Sequence, residues 1–174
     1  MMKKLVSIIT VFTLIFSMCG LNVAALENNS TNYEEYYDED GNYNNPETGE
    51  FFRWISPVAR STSKEFSFKI RYSLKSDAFA LHSSRIKVYL TEAIIVDGNG
   101  VERADNVGKR FTINLRRNGL SNNIARFKTP VNHPEVVDLG GDFATSTVSY
   151  NLELNVEDAL SANRYIYGWG SIGS

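Results

Sequence analysis

FSFKIRYSL, residues 66–74, decides the fold. Phe66, Phe68, Ile70, Tyr72 and Leu74 stand at every second position, with Ser67, Lys69, Arg71 and Ser73 between them. Successive side chains of an extended strand point to opposite faces, so this spacing gives one apolar face and one polar face. A helix would need apolar residues three and four apart, which the stretch does not offer. The same alternation recurs in RIKVYL (Ile86, Val88, Leu90), in RFTINLR (Phe111, Ile113, Leu115) and in VSYNLELNV (Val148, Tyr150, Leu152, Leu154, Val156). Half-buried strands of an antiparallel sheet carry this signature.

Turn residues punctuate these runs. Asp97-Gly98-Asn99-Gly100 follows TEAIIV, and Gly and Asn tolerate the positive φ of a tight hairpin. Asn118-Gly119 closes another run, and Leu139-Gly140-Gly141-Asp142 is read as the turn before the next. Weaker strand signals fall at residues 78–82, 124–128 and 164–169, while VEDALSAN, residues 156–163, reads as a loop or a single helical turn. The spacing predicts an all-β domain, an antiparallel β-sandwich of about seven strands, Ig-like or jelly-roll-like, over residues 51–174. Some 124 residues is a common size for one domain with one core.

Upstream the composition changes. Residues 26–50 carry eight acidic side chains and no Lys or Arg, with one Leu and four Tyr as the only large apolar groups. So little apolar surface cannot offset the ordering of the backbone, and the segment reads as a disordered acidic tether. Of the 18 Lys and Arg residues, 16 lie in residues 51–174 against 12 acids, so the domain carries about +4 and the tether −8.

Residues 1–25 begin with Lys3 and Lys4, continue through the apolar run LVSIITVFTLIFSM and end on Val23-Ala24-Ala25. The run has 14 residues, short of the roughly 20 that cross a bilayer, and matches a secretory signal peptide cleaved before Leu26. The chain is therefore expected outside the cell, with no transmembrane span in its mature part. Cys19, the single cysteine, offers the competing reading of a lipid anchor on the outer face of the membrane. Met18 before it fits lipidation poorly, so Cys19 is expected to leave with the signal, and the mature chain to be disulfide-free.

Chemistry is sparse. His82 and His133 lie far apart, and without cysteines no zinc set can be assembled. No serine sits in a G-x-S-x-G turn. Ser61-Thr62-Ser63-Lys64 matches S-x-x-K, but the S-D-N and K-T-G partners are missing. The acidic stretch from Asp38 has its glycine, Gly41, at the fourth position, whereas a calcium loop of the EF-hand kind wants it at the sixth. No catalytic set, metal or cofactor is implied, and nothing points to specific nucleic-acid binding.

Surface chemistry remains. Lys69, Arg71, Lys87, Arg110 and Arg116 all take polar-face positions, and strands adjacent in one sheet would merge them into a basic surface suited to anionic wall polymer or acidic polysaccharide. The plain alternative is that they keep an exposed sheet soluble and discourage edge pairing. Tyr165, Tyr167 and Trp169 alternate near the C-terminus, with Ile166, Gly168, Gly170 and Ile172 on the opposite face. Exposed aromatic rings stack on sugars, whereas buried ones only fill a core. The sequence thus points to a secreted, non-enzymatic module that binds the cell envelope or an extracellular polymer through a basic or aromatic sheet face. A secreted effector of the toxin or bacteriocin kind, or a matrix subunit that self-associates through an edge strand, is the alternative; a secreted hydrolase comes third.

Overall fold

A computed structural model of the chain describes residues 36–55, 63–80, 85–117, 120–141 and 149–173. The apolar leader with Cys19, the tether up to residue 35, Ser61-Thr62, His82, the Asn118-Gly119 turn, Asp142 and Val148 lie outside the described residues. Among the described residues eleven strands are seen: β1 (Tyr43–Asn44), β2 (Phe51–Trp54), β3 (Ser63–Ile70), β4 (Ser73–Lys75), β5 (Phe79–Ala80), β6 (Arg85–Asp97), β7 (Arg110–Arg117), β8 (Leu120–Lys128), β9 (Glu135–Gly141), β10 (Ser149–Val156) and β11 (Arg164–Gly173). They form two antiparallel sheets. The first has six strands in the order β1-β2-β3-β11-β6-β9; the second runs β4-β10-β7-β8, with β5 also paired to β10. The domain is an all-β antiparallel sandwich.

The alternating positions make its core. Phe52, Phe66, Phe68, Ile86, Val88, Leu90 and Ile166 from the six-stranded sheet meet Phe111, Ile113, Leu115, Leu152 and Leu154 from the other, all buried. Phe68 reaches across the sandwich to Phe111, ring centroids 6.0 Å apart, and Phe111 stacks in turn on Phe127 at 5.5 Å. Truncating such a ring to alanine costs about 3–5 kcal/mol, from lost burial and the cavity left behind.

FSFKIRYSL is not one strand. It leaves the first sheet after Ile70, bends at Arg71-Tyr72 and enters the second sheet as β4, where Leu74 returns to the core. Tyr72, at an apolar position of the alternation, is 63% exposed. The bend is held by Glu50, whose Oε1 accepts the N–H of Arg71 at 2.7 Å and of Tyr72 at 3.0 Å in place of ladder partners. Strand count and turn assignment shift for related reasons. RIKVYLTEAIIVD is a single 13-residue strand, β6, whose buried positions move from even to odd numbers past a bulge opposite Trp169/Gly170. Leu139-Gly140-Gly141 belongs to β9, a strand not anticipated from the sequence, and not to a turn.

Residues 36–50, assigned to the tether on composition, are folded. Tyr43 is buried and pairs with Phe52 through β1, Tyr36 and Tyr37 pack on its ring, and Glu50 is 4% exposed. Asn42 Oδ1 accepts the N–H of Trp54, and Asn45 Oδ1 those of Glu47 and Thr48. The net charge counts acids; it does not show that one of them closes a bend and that tyrosines cover an edge.

Candidate functional site

β11 is an inner strand of the six-stranded sheet, flanked by β3 and β6. Directly paired residues in a sheet share a face. Tyr167 pairs with Lys69 on one side and Ile94 on the other, and Lys69 pairs in turn with Phe51. One row of the outer face therefore reads Phe51, Lys69, Tyr167, Ile94. The next row, about 7 Å along the strands, reads Arg53, Ser67, Trp169, Glu92. Two residues further, Ser171 stands between Glu65 and Tyr89, and Tyr89 pairs with Val136 of β9.

Trp169 is 42% exposed, and its indole N–H donates to Glu92 Oε2 at 3.2 Å, which fixes the direction of the ring. Phe51 and Tyr167 meet edge to face at 6.3 Å, and the Arg53 guanidinium lies 4.7 Å over the Phe51 ring. Tyr165 is tied down at both ends: its hydroxyl donates to Thr48 O at 2.8 Å and its ring lies 4.5 Å from the Lys69 ammonium. The face thus presents rings in fixed orientations with Arg53, Ser67 and Glu92 beside them. Such a surface can stack on apolar sugar faces while neighbouring donors and acceptors take hydroxyl groups.

The inward side explains why these aromatics point outward. A Cβ on Gly168 would stand 2.6 Å from Phe68 Cζ and 2.7 Å from Glu92 O, and one on Gly170 would press into the Tyr89 carbonyl oxygen. Only glycine fits at both positions, so the bulky residues of this strand occupy the other face.

No family model and no curated protein matches the sequence. Several solved structures resemble it weakly. An insecticidal delta-endotoxin, Cry8Ea1 from Bacillus thuringiensis, is 10% identical with a TM-score of 0.36 over 62% of this chain and 19% of its own, so the chain spans about a fifth of the endotoxin. The CBM36-1 domain of a multidomain xylanase from the hindgut metagenome of Trinervitermes trinervoides is 16% identical, TM-score 0.32, over 77% of this chain and 84% of its own. A carbohydrate-binding module CBM36 in complex with calcium and xylotriose is 12% identical, TM-score 0.31, over 70% and 85%. At these scores the likenesses transfer no ligand to this chain.

The five cations expected to form a basic surface do not gather on one face. Lys69 and Lys87 belong to the six-stranded sheet, Arg110 and Arg116 to the other, and Arg71 sits at the bend between sheets. Arg110 forks onto Asp158, Nε to Oδ2 at 3.1 Å and Nη2 to Oδ1 at 2.9 Å, while Arg116 pairs with Glu153. Arg71 lies over the Tyr72 ring and donates to its hydroxyl. A cleft of about 480 Å³ does collect Arg110, Arg126 and Lys128, but Glu135 and Glu157 line it too. Asp38 is occupied locally, its Oδ1 accepting the N–H groups of Asp40 and Asn42. Among the described residues no group of three or more His, Cys, Asp or Glu is placed to hold a metal, and no helix is long and apolar enough to cross a membrane.

Tyr165, Tyr167 and Trp169 share one face, as their alternation implies, and strand pairing and exposure show that it is the outer one. Phe51, Arg53, Tyr89 and Glu92 join them only through strand pairing. Alternation in the sequence assigns each of these residues to a face of its own strand, but it carries no information about which strands are neighbours.

Proposed function

We propose that the chain is a non-enzymatic polysaccharide-binding module that works outside the cell and docks extended glycan along the outer face of its six-stranded sheet. The observation that carries this reading is the inverted strand β11, with Tyr167 and Trp169 turned outward beside Phe51 and glycines turned inward. Rings held by hydrogen bonds and edge contacts need little further ordering on binding, so stacking energy is kept. The apolar leader supports export. Cell-envelope polymer is then the surface within reach.

Affinity electrophoresis through gels containing soluble polysaccharides tests the reading, with Trp169→Ala and Tyr167→Ala as the variants. Loss of one stacking ring should weaken retardation about tenfold, equivalent to about 1.4 kcal/mol, without changing the melting temperature. A wild-type protein that no polysaccharide retards sinks the proposal. Release of new reducing ends during incubation would show that it is an enzyme after all.

A further inference from the structure

Lys69 is the anomaly of this face. It is 8% exposed, yet among the described residues no carboxylate stands in ion-pair range of its ammonium. Nζ donates to Gly98 O at 2.8 Å and lies over the Tyr165 ring, one acceptor and one π-face for a group with three protons. Burial pulls its pKa below the ordinary lysine value, against the opposing pull of the Asp97 charge. The acid whose charge acts on it, Asp97, is committed elsewhere: its carboxylate takes the Arg103 guanidinium and the N–H groups of Asn99 and Val101. Lys69 nevertheless lines an open cleft of about 300 Å³, walled by Phe51, Tyr167 and Ile94 and floored by the Gly98–Gly100 turn.

We infer that this cleft takes the carboxylate of an acidic sugar, with Lys69 as its counter-ion and the Phe51 and Tyr167 rings against the sugar. The inference rests on the polysaccharide reading above and narrows it to uronic-acid-containing polymers. Lys69 supplies the cation inside the cleft, with Arg53 over the Phe51 ring beside it, and the rings supply the apolar contact that a simple anion would not need. That combination selects a carboxylated sugar ring over a phosphate or a neutral glycan. A charge-assisted hydrogen bond is the strongest single contact this surface can add.

The test uses the full mature chain, polygalacturonate, and the same polymer after chemical reduction of its carboxyl groups to alcohols. Wild type should bind the acidic polymer about tenfold more tightly than the reduced one, and Lys69→Met should bring the two affinities together. Equal wild-type affinity for both polymers overturns the inference and leaves the polysaccharide reading intact, as does a preference that Lys69→Met retains. Binding of neither these nor neutral glycans removes both. The polymer comparison with the wild-type chain stands even where Lys69→Met fails to fold.

Discussion

Replacing Glu50 with alanine tests the most consequential feature of the fold. Its Oε1 accepts two backbone N–H groups, those of Arg71 and Tyr72, where the chain passes from one sheet to the other. Hydrogen bonds to an ionised acceptor contribute about 1.5 kcal/mol or more each. Two give about 3 kcal/mol, and relief of the desolvation of a carboxylate that is 4% exposed offsets part, leaving about 2–3 kcal/mol. For a folded unit spanning residues 33–174, the unfolding entropy is about 0.3 kcal/mol/K, so the midpoint should fall by about 7–10 °C. Circular dichroism melts of wild type, Glu50→Ala and Glu50→Gln measure this. The glutamine keeps an acceptor and should lose about half as much. Removal of residues 26–50 should destabilise at least as strongly as Glu50→Ala, because it also strips Tyr43 from the core edge. A Glu50→Ala midpoint within about 2 °C of wild type, or an unchanged midpoint after the deletion, refutes the reasoning and returns the segment to a tether.

Gly170→Ala should destabilise by about 2 kcal/mol or more, read from urea unfolding, because its Cβ meets the Tyr89 carbonyl oxygen and backbone cannot yield as a side chain can. An unchanged midpoint would show that the bulge opposite this position adapts. Asp158 is held at about 2, below its ordinary 3.8, chiefly by the Arg110 guanidinium and N–H. A folded value below the unfolded one means a contribution complete above pH 3.8 that fades as pH falls through 2. Asp158→Asn should therefore melt below wild type at pH 5, with the two melting curves converging below pH 2; parallel offsets across that range would contradict it.

What the sequence disclosed and what it withheld divide along a physical line. Alternation assigns each residue to a face, and Phe66, Phe68, Ile86, Val88, Phe111, Ile113, Leu152 and Leu154 all lie in the core as it implies. Alternation likewise put Tyr165, Tyr167 and Trp169 on one face, but which face of that strand is outward was not legible from it. Alternation is silent about neighbours. Nothing in RFTINLR says that β7 belongs to the other sheet from β3, so Arg110 and Arg116 could not be separated from Lys69 and Lys87. Composition misled where single contacts dominate: one carboxylate closing the Arg71-Tyr72 bend, and Tyr43 sealing the edge at Phe52, order a segment whose overall charge argues for disorder. The break in FSFKIRYSL was invisible for a related reason, since its alternation continues into β4 although the chain changes sheets.

The sequence of β11 makes most sense when both of its faces are considered together. A strand flanked on both sides would ordinarily turn its largest residues inward, because burial of a Tyr or Trp contributes most there. RYIYGWGSIG does the reverse in its middle. Phe68 already occupies the space above Gly168, and the Tyr89 backbone closes over Gly170, so between Ile166 and Ile172 the core beneath β11 is filled from β3 and β6. Backbone approach fixes glycine on the inward side, which leaves Tyr167 and Trp169 on the outer face beside Phe51, and the outer face of the six-stranded sheet, and not the dispersed cations, carries the functional reading.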